Sequence, residues 1–384
     1  MISSSPKKRA VSSKYLLVFA GSLFALAILL LIVRSKGGFS FDQKLTQGKR
    51  VPILFSVLDE GDTFLFSTYI ELYPQEKKAA LFFVNPRTSF DEDDTLLEKK
   101  DSAPNYLKSR IEDALDQTVS YRIVLTKSQF QSWIDLIGGI EVFFEPKSGH
   151  ITKNYDRKKT IYVLDGRDCF DWMTFLSDTK MLSYIKRIEV QETILLTVLE
   201  KLHSSRDQIS KQTIQVLFEK ATTNLDLKEW EALFEFLKKE RIHFGVSELP
   251  GEPIVRNKQK DEILRAKQET VRVAFLKFSG ELRSSSFSEG ERARIEVLNG
   301  TSKNGLARYG KILLNDKGLK VLTVDNAWDP NFKSSIILNR SGNTQYSDLI
   351  SETFQGRPVY FALRKDLGLD ATVILGEDFQ NSKD

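Results

Sequence analysis

The chain has 384 residues, of which 41% are hydrophobic and 28% are charged. This length predicts two or three domains at ~150 residues each, and the composition excludes collagen-like, wholly disordered and disulfide-scaffold proteins. The net charge is +4, and residues 1–14 contain four basic residues and no acidic one: Lys7, Lys8, Arg9 and Lys14. Residues 15–384 therefore sum to zero, so the sequence lacks the positive charge typical of nucleic-acid-binding proteins, and we expect no nucleic-acid partner.

Residues 15–33 (YLLVFAGSLFALAILLLIV) form an uncharged apolar run. As a helix rising 1.5 Å per residue, this run extends over roughly 28 Å and is long enough to cross a membrane. A cleaved signal peptide is the main alternative, but the run is long for one, and Arg34, Ser35 and Lys36 follow it instead of a small-residue cleavage site. We therefore predict a single-pass transmembrane anchor at residues 15–33.

The basic tail at residues 1–14 favours a cytoplasmic N-terminus, although Arg34 and Lys36 reduce the charge asymmetry across the anchor. We expect a cell-membrane protein whose bulk lies outside the cytoplasm. Cys169 is the single cysteine of the chain, so no internal disulfide can form. Residues 34–50 are polar and contain glycine, and we interpret them as a stalk.

Residues 51–280 alternate between strand-like and helix-like patterns. Strands are predicted at 52–58, 63–72, 79–84, 122–125, 140–144 and 241–246, and helices at 106–115, 128–137, 183–202 and 228–239. This mixture predicts an α/β fold with a layered α/β/α domain.

Residues 281–292 are rich in serine, glycine and charge and have no periodicity, which predicts a linker. Residues 293–379 then read as a small α+β domain. Strands are predicted there at 295–298, 320–324, 335–339, 359–363 and 371–375, and helices at 305–316 and 346–354.

Few residues have a pattern typical of a reactive site. The three histidines are far apart and have no metal-binding spacing, and Cys169 lies in no reactive motif. Asp59 and Asp62 flank a short turn directly after the first predicted strand, and Arg87 follows the third. Ligands of open α/β sheets bind at the carboxyl ends of strands, where two carboxylates could hold Mg²⁺ or act as a base and an arginine could bind phosphate. For each residue alone, an ordinary turn or surface position is the more common explanation.

The order of several motifs resembles that of the LytR-CpsA-Psr family of envelope proteins. After the anchor, the motifs are Asp62-Thr63, Pro86-Arg87, residues 130–142 (FQSWIDLIGGIEV), Leu164-Asp165-Gly166, Arg187-Ile188-Glu189-Val190-Gln191, Thr223-Asn224-Leu225 and Leu249-Pro250-Gly251. Residues 130–142 are the most specific match. The resemblance extends over residues 51–255. Residues 293–379, with Val297-Leu298-Asn299-Gly300-Thr301 and Gly305-Leu306-Ala307, are similar to the LytR C-terminal domain.

Members of this family transfer glycopolymers from a polyprenyl-pyrophosphate lipid to cell-wall peptidoglycan. The resemblance implies that Arg87 and Arg187 are catalytic and bind the pyrophosphate, with Gln191 as a further substrate-binding residue. It implies that Asp59 and Asp62 are catalytic and hold Mg²⁺ or orient the acceptor hydroxyl. It also implies an apolar tunnel for the lipid. Such chemistry depends on positioning and charge neutralisation, which these residue types supply.

The sequence departs from the family pattern in its arginines. Thr88 replaces the aspartate after Pro-Arg, Val190 replaces the second arginine of the helix motif, and the loop Glu60-Gly61 lacks an expected arginine. Residues 172–175 (WMTF) also lack the arginines that the family often has there. Loss of one electrostatic donor can cost ~10²–10³ in rate.

Three functions therefore stay open: an active, divergent transferase, a catalytically inactive binding or assembly protein of the envelope, and a membrane-tethered transcriptional regulator. The family's historical name alone suggests the third. The neutral charge of residues 15–384 and the absence of a helix-turn-helix pattern argue against it.

Overall fold

The computed structural model describes residues 41–61, 63–90, 94–145, 160–256, 261–284 and 293–379. These residues form a first domain, which ends at Ser284, and a C-terminal domain, which begins at Ala293. Among the described helices, none combines the length and the apolar character needed to cross a membrane. The predicted anchor at residues 15–33 lies outside the described residues.

The first domain contains nine helices and eleven strands among the described residues. In chain order they are α1 (Phe41–Thr46), β1 (Val51–Leu58), β2 (Phe64–Tyr73), β3 (Lys78–Val84), β4 (Thr88–Ser89), α2 (Leu96–Lys99), α3 (Ala103–Leu115), β5 (Tyr121–Thr126), α4 (Lys127–Leu136), β6 (Ile140–Phe143), β7 (Ile161–Leu164), α5 (Gly166–Thr174), α6 (Met181–Ser204), α7 (Lys211–Glu219), β8 (Thr222–Thr223), α8 (Leu227–Lys239), β9 (His243–Glu248), β10 (Glu252–Arg256), β11 (Asp261–Arg265) and α9 (Gln268–Ser284). A short 3₁₀ turn at Lys100–Ser102 joins α2 to α3.

Six strands form the central sheet in the order β8-β5-β1-β2-β3-β9. Strands β1, β3, β5 and β9 run in one direction, whereas β2 and β8 are antiparallel to their neighbours. The carboxyl ends of the four parallel strands, at Leu58, Val84, Thr126 and Glu248, therefore lie along one edge of the sheet, which we call the carboxyl edge.

Helices cover both faces of this sheet, so β1 and β3 are buried along their whole length and are almost entirely apolar. On one face, Phe55 and Val57 pack with residues of α4, α6, α7 and α8. On the other face, Leu54 packs with residues of α3 and α9, including Phe275. The predicted layered α/β/α fold is confirmed. Helix α4 begins with a capping box of Thr126 and Gln129, and the chain leaves it through Gly138 and Gly139, both with positive φ.

The C-terminal domain is a five-stranded sheet with two helices. Its elements are β12 (Arg294–Asn299), α10 (Leu306–Asp316), β13 (Lys320–Asn326), β14 (Ile336–Asn339), α11 (Thr344–Thr353), β15 (Val359–Phe361) and β16 (Ala371–Leu375), with a 3₁₀ turn at Lys365–Leu367. The strand order is β13-β12-β16-β14-β15. All seven predicted elements are present, with ends that differ by at most two residues.

The two domains share a packed junction. Phe361 and Leu363 of the C-terminal domain belong to the hydrophobic core of the first domain, and Phe143 of the first domain packs in a cluster with β12, β14 and β16. Gly342 lies so close to Val246 that an added Cβ would stand 2.1 Å from its Cγ2 atom, so the contact requires glycine. The C-terminal domain is therefore docked on the first domain.

Two predicted boundaries are wrong. Residues 41–46 of the predicted stalk form α1, whose Phe41 is buried and stacks edge-on against Tyr121 at 4.9 Å. Residues 281–284 of the predicted linker are the last residues of α9, and residues 285–292 lie outside the described residues. Both segments have a polar composition, but each contains one apolar residue that is buried against the sheet. That residue is Phe41 in α1 and Leu282 in α9.

Candidate functional site

Arg87 lies at the carboxyl edge, three residues beyond the end of β3. The Asn85 side chain fixes the turn, because its Oδ1 accepts a hydrogen bond from the Arg87 backbone N–H at 2.9 Å. The guanidinium is held in turn by β11: Nε donates to the Glu262 carbonyl at 2.7 Å and Nη2 donates to Asp261 Oδ2 at 2.7 Å. Nη1 forms no hydrogen bond with the described residues. Arg87 is thus oriented by protein contacts and keeps one edge available.

Asp261 belongs to a wider network that fixes Arg87. It accepts hydrogen bonds from Arg256 at 2.9 and 2.7 Å, and Arg256 also donates to both oxygens of Glu98 at 2.9 Å. These bonds from Arg256 lower the pKa of Asp261 below its usual value. A carboxylate that stays charged in a planar, bidentate contact holds its arginine partners in a fixed geometry.

Arg187 is brought to Arg87 by a tyrosine. Tyr184 and Arg187 lie on the same face of α6, because residues three apart are neighbours on a helix. The Arg187 guanidinium lies 4.8 Å from the centre of the Tyr184 ring, and the Arg87 guanidinium lies 5.2 Å from the same centre. The structure therefore places both sequence-predicted arginines around one aromatic ring.

Arg187 is a buried cation without a hydrogen-bond or salt-bridge partner in the described part of the chain. Its side chain is 6% exposed, and it forms no hydrogen bond or salt bridge with any described residue. Burial lowers the pKa of Arg187 to about 10, so the guanidinium is still charged at neutral pH. Because an unpaired buried charge is strongly unfavourable, this position is the kind that an anionic ligand completes.

Gln191 follows Arg187 by one helical turn and lies on the same side of α6. Its Nε2 donates to the Met173 carbonyl at 3.3 Å, whereas its buried Oε1 has no hydrogen-bond partner among the described residues. Buried polar atoms without a partner are uncommon and indicate a missing ligand or water. Gln191 therefore lies one helical turn beyond Arg187, and its role as a substrate-binding residue stays a prediction.

A wholly apolar cavity lies between the sheet and the helices α4, α6, α7 and α8. It encloses about 940 Å³ of empty space, part of it open to solvent, and it is lined by Ile53, Phe55, Ile123, Trp133, Phe234 and other apolar residues. Helix α6 contributes Leu195, Val198, Leu199 and Leu202 to this lining.

The arginine pair and the apolar cavity are consecutive parts of one helix face. Arg187, Gln191 and Leu195 are each separated by four residues, and so they follow one another along α6. At 1.5 Å per residue, Leu195 lies about 12 Å beyond Arg187 and Leu202 about 22 Å beyond it. A ligand with an anionic head and a long apolar tail matches this arrangement.

Asp59 lies at the end of β1, on the same edge of the sheet. With β2 between them, β1 and β3 are about 10 Å apart. Asp59 Oδ1 accepts a hydrogen bond from the Glu60 N–H at 2.8 Å, and no contact joins Asp59 to Arg87 or Arg187. Asp62 lies outside the described residues. In the described part of the chain, no three His, Cys, Asp or Glu side chains form a metal-binding group. Asp59 alone supplies one suitable oxygen ligand, and the Mg²⁺ site stays a prediction.

Sequence reasoning missed Tyr184 and Asp261. The spacing of three residues between Tyr184 and Arg187 is a visible signal, but the approach of Arg87 to the same ring depends on the folded chain. Arg110 lies elsewhere: it packs on Tyr106 at 4.9 Å on α3, which covers the opposite face of the sheet. The described arginines around the site are thus Arg87 and Arg187, with Arg256 behind Arg87.

Comparison with known proteins gives two family matches. Residues 100–272 match the LytR_cpsA_psr family, and residues 292–379 match the family described as LytR cell envelope-related transcriptional attenuator. No curated protein is significantly similar to the chain.

Several solved structures are similar to part of the chain. Protein gbs0355 from Streptococcus agalactiae is 14% identical with a TM-score of 0.50, covering 63% of this chain and 91% of that chain. TagT bound to LIIa-WTA is 15% identical with a TM-score of 0.49, covering 64% and 94%. TagV from B. subtilis is 15% identical with a TM-score of 0.48, covering 62% and 99%.

The two family matches agree with the motif order, with the α/β/α layers and with the separate C-terminal sheet. The chain therefore belongs to the LytR-CpsA-Psr family of envelope proteins and carries a LytR C-terminal domain.

Proposed function

We propose that the chain is a membrane-anchored envelope protein that binds a polyprenyl-pyrophosphate-linked glycopolymer and transfers the glycopolymer to the cell wall. The observation that carries this proposal is Arg187, a buried guanidinium that has no anionic partner among the described residues and shares the Tyr184 ring with Arg87. A pyrophosphate between the two arginines would supply the missing negative charge. Charge-assisted contacts to arginine are the strongest that phosphate oxygens make in proteins.

The apolar cavity accounts for the lipid part of this substrate. On the face of α6 that carries Arg187 and Gln191, the cavity lining begins at Leu195, and all of the lining side chains are apolar. Burial of apolar surface stabilises by about 25 cal/mol per Å², so an isoprenoid tail gains affinity along its whole buried length. A free sugar phosphate would leave this cavity empty, which is why a lipid-linked substrate fits better.

Transfer requires an acceptor hydroxyl to attack the phosphorus that carries the glycopolymer. The new bond joins the acceptor oxygen to that phosphorus, and the bond to the bridging oxygen breaks, so that the polyprenyl phosphate leaves. Arg87 and Arg187 would stabilise the charge on the phosphate oxygens. Asp59, with Asp62, would accept the hydroxyl proton or hold Mg²⁺, which would add charge neutralisation at the phosphate.

A catalytically inactive binding or assembly protein is the second candidate. It is favoured by the small number of free guanidinium donors, because Arg87 is engaged by Asp261 and Glu262, and Val190 replaces a second arginine on α6. Such a protein would bind the same lipid-linked glycopolymer without turning it over.

The test uses the full chain in nanodiscs and geranyl pyrophosphate as the binding probe. Single variants Arg87→Met and Arg187→Met should weaken binding about 100-fold, because each removes a charged partner of the ligand. Arg283→Met is the matched control, since Arg283 is paired with Glu76 away from the site, and its binding should equal that of the wild type.

Turnover separates the two candidates. With a glycan-linked polyprenyl pyrophosphate, peptidoglycan and Mg²⁺, a transferase releases polyprenyl phosphate and labels the peptidoglycan. Binding without release identifies the inactive binding protein. Absence of geranyl pyrophosphate binding by the folded wild-type chain contradicts both candidates.

A further inference from the structure

Asn85 is a buried amide at the carboxyl edge that the proposed mechanism does not use. It follows β3 directly and precedes Pro86 and Arg87. The residue is 2% exposed, and its Nδ2 atom has no hydrogen-bond partner among the described residues. A buried amide N–H group normally has an acceptor, so this position indicates a ligand or a water that supplies one.

A turn fixes the orientation of the Asn85 side chain. The Asn85 carbonyl accepts a hydrogen bond from the Thr88 N–H at 2.9 Å, which closes a turn with asparagine first and proline second, the positions that these residues favour. Within the turn, Asn85 Oδ1 accepts from the Arg87 N–H at 2.9 Å. This bond settles which amide atom is the oxygen, because a backbone N–H requires an acceptor. The Nδ2 donor is therefore directed away from the turn.

The alternation of strand β3 places Asn85 on the side of the sheet that α6 covers. Phe83 packs in the core on the α6 side, and Val84 packs in the core on the α9 side. Successive side chains of a strand point to opposite faces, and a residue before proline stays extended. Asn85 therefore points to the same side as Phe83, toward the helix whose Tyr184 ring lies against Arg87.

Asn85 and Gln191 are polar groups between the arginine pair and the apolar cavity. Asn85 precedes Arg87 on a strand that runs toward the carboxyl edge, so it lies further into the domain. Gln191 lies about 6 Å beyond Arg187 along α6, in the direction of the cavity, whose lining on this helix begins at Leu195. The sheet side thus offers an amide donor, and the helix side offers the Gln191 Oε1 acceptor.

A lipid-linked pyrophosphate has two phosphates in line with its tail. When the tail occupies the cavity, the phosphate on the lipid lies nearer the cavity, and the phosphate that carries the glycopolymer lies nearer the carboxyl edge. The arginine pair suits the outer phosphate. A neutral amide suits the inner one, because it donates to an anionic oxygen without adding another buried charge.

We propose that Asn85 is a further substrate-binding residue, whose Nδ2 donates to the phosphate that stays on the lipid. The inference rests on the proposed function, which supplies the lipid-linked pyrophosphate.

The role of Asn85 in transfer follows from the bond that breaks. The acceptor oxygen forms the new bond to the glycopolymer phosphorus, and the acceptor proton goes to the base. The bond from that phosphorus to the bridging oxygen breaks, and its electron pair stays on the oxygen of the leaving polyprenyl phosphate. The leaving group gains negative charge beside the Asn85 donor, so the hydrogen bond becomes stronger as the reaction proceeds.

The experiment measures binding of geranyl pyrophosphate and of geranyl phosphate to the full chain in nanodiscs by calorimetry. Asn85→Asp keeps the size of the side chain and the Oδ1 acceptor of the turn, and it replaces the donor by a carboxylate oxygen. It should weaken binding of both lipids about 100-fold, because like charges then face each other. Asn85→Ser keeps a short acceptor for the turn and removes the amide donor, and it should weaken binding of both lipids about tenfold.

Asn343→Asp is the matched control. Asn343 is the N-cap of α11 in the C-terminal domain, and its Oδ1 accepts from the Gln345 N–H at 3.1 Å. Asn343 and Asn85 thus have the same local role, since each accepts from the N–H two residues later. Asn343→Asp should bind both lipids as the wild type does. Melting temperatures of the three variants show whether each is folded.

Three outcomes would overturn the proposal. The first is that folded Asn85→Asp and Asn85→Ser bind both lipids as the wild type does, which would assign the partner of Nδ2 to a water. The second is a loss confined to geranyl pyrophosphate, which would place Asn85 at the outer phosphate. If the variants fail to fold, a structure of the wild type with geranyl pyrophosphate decides, and the third outcome is a complex in which no phosphate oxygen lies within hydrogen-bond distance of Nδ2.

The arginine variants separate this inference from the proposed function. If Arg87→Met and Arg187→Met weaken geranyl pyrophosphate binding and the Asn85 variants do not, the proposed function stands and the role of Asn85 alone fails. If the wild type does not bind geranyl pyrophosphate, or if the arginine variants bind it equally well, the proposed function fails and the inference fails with it.

Discussion

Helix α6 carries two buried charges, and they have opposite surroundings. Arg187 forms no salt bridge or hydrogen bond with any residue that the structure describes. Glu192, five residues later, is fully buried and accepts a hydrogen bond from Lys365 of the C-terminal domain at 2.6 Å, and Lys365 also donates to Glu248 at 2.9 Å. One helix thus holds an unpaired cation at the ligand site and a paired carboxylate at the domain junction.

The difference separates a binding role from a structural role. Burial is the first cause of both shifts: it lowers the pKa of Arg187 to about 10 and raises the pKa of Glu192 to about 8. At Glu192 the protein supplies a countercharge from another domain, and so the contact holds the fold together. At Arg187 it supplies none, so the cost of burial is offset only when an anion binds.

The largest expected effect on the free energy of unfolding comes from breaking the pair of Lys365 and Glu192. At pH 9, where Glu192 is ionised, Lys365→Met should lower the free energy of unfolding by about 2–3 kcal/mol, near the low end for a broken buried pair because the Lys365 side chain is 30% exposed. Chemical denaturation of the full chain measures this value. The double variant Lys365→Met/Glu192→Leu should recover most of the loss, because the fully buried carboxylate is then removed, and Glu248, the other partner of Lys365, is 30% exposed to water. A double variant no more stable than the single one would show that the pair is not the source of the effect.

The next effect concerns pH. Burial raises the pKa of Glu192 in the folded state from its usual value of 4.5 to about 8. Protonated Glu192 therefore contributes stability that is fully present below pH 4.5 and is lost as the pH rises through about 8. Melting temperatures of the wild type and Glu192→Gln should be similar at pH 5, and Glu192→Gln should be the more stable at pH 9. A difference between the two that does not change with pH would contradict the raised pKa.

At Arg187, removal of the charge should change the free energy of unfolding in the opposite direction. Arg187→Met should raise the free energy of unfolding by about 1 kcal/mol, because an apolar side chain replaces a buried charge that has no partner. Arg283→Met, which breaks an exposed pair with Glu76, should change it by less than about 0.5 kcal/mol. If Arg187→Met destabilises the ligand-free chain instead, Arg187 has a structural role and the comparison fails.

The smallest expected effect is at Tyr184, which joins the two arginines. Tyr184→Leu removes the ring and should weaken geranyl pyrophosphate binding about fivefold, since cation–π contacts are worth about 0.5–1 kcal/mol each. Tyr184→Phe keeps the ring and should bind as the wild type does. Equal loss in both variants would assign the effect to the hydroxyl group.

The elements with a strong apolar period could be predicted from the sequence. Helix α6 was predicted at residues 183–202 and extends over Met181–Ser204, because its apolar residues recur at helical spacing. Helix α9 was missed, since Val273 and Leu276 are exposed and obscure the inward face formed by Val271 and Phe275.

The candidate site was predictable in its residues and not in its geometry. Arg87 and Arg187 follow from the motifs, but their approach to one ring depends on how the chain places α6 against the end of β3. The contact of Lys365 with Glu192 joins residues 173 positions apart, and no local pattern of sequence indicates it. Charge pairing across such distances is decided by topology, which periodicity does not determine.

The position of Phe361 and Leu363 in the core of the first domain has a consequence for the order of folding. A chain emerges from the ribosome with its N-terminal end first, and N-terminal domains usually complete their folding before the rest is made. Here the first domain lacks two of its core side chains until residues 361–363 have been synthesised. The last strands of the chain therefore complete the domain that was made first, and a protein truncated after Ser284 would lack that completion.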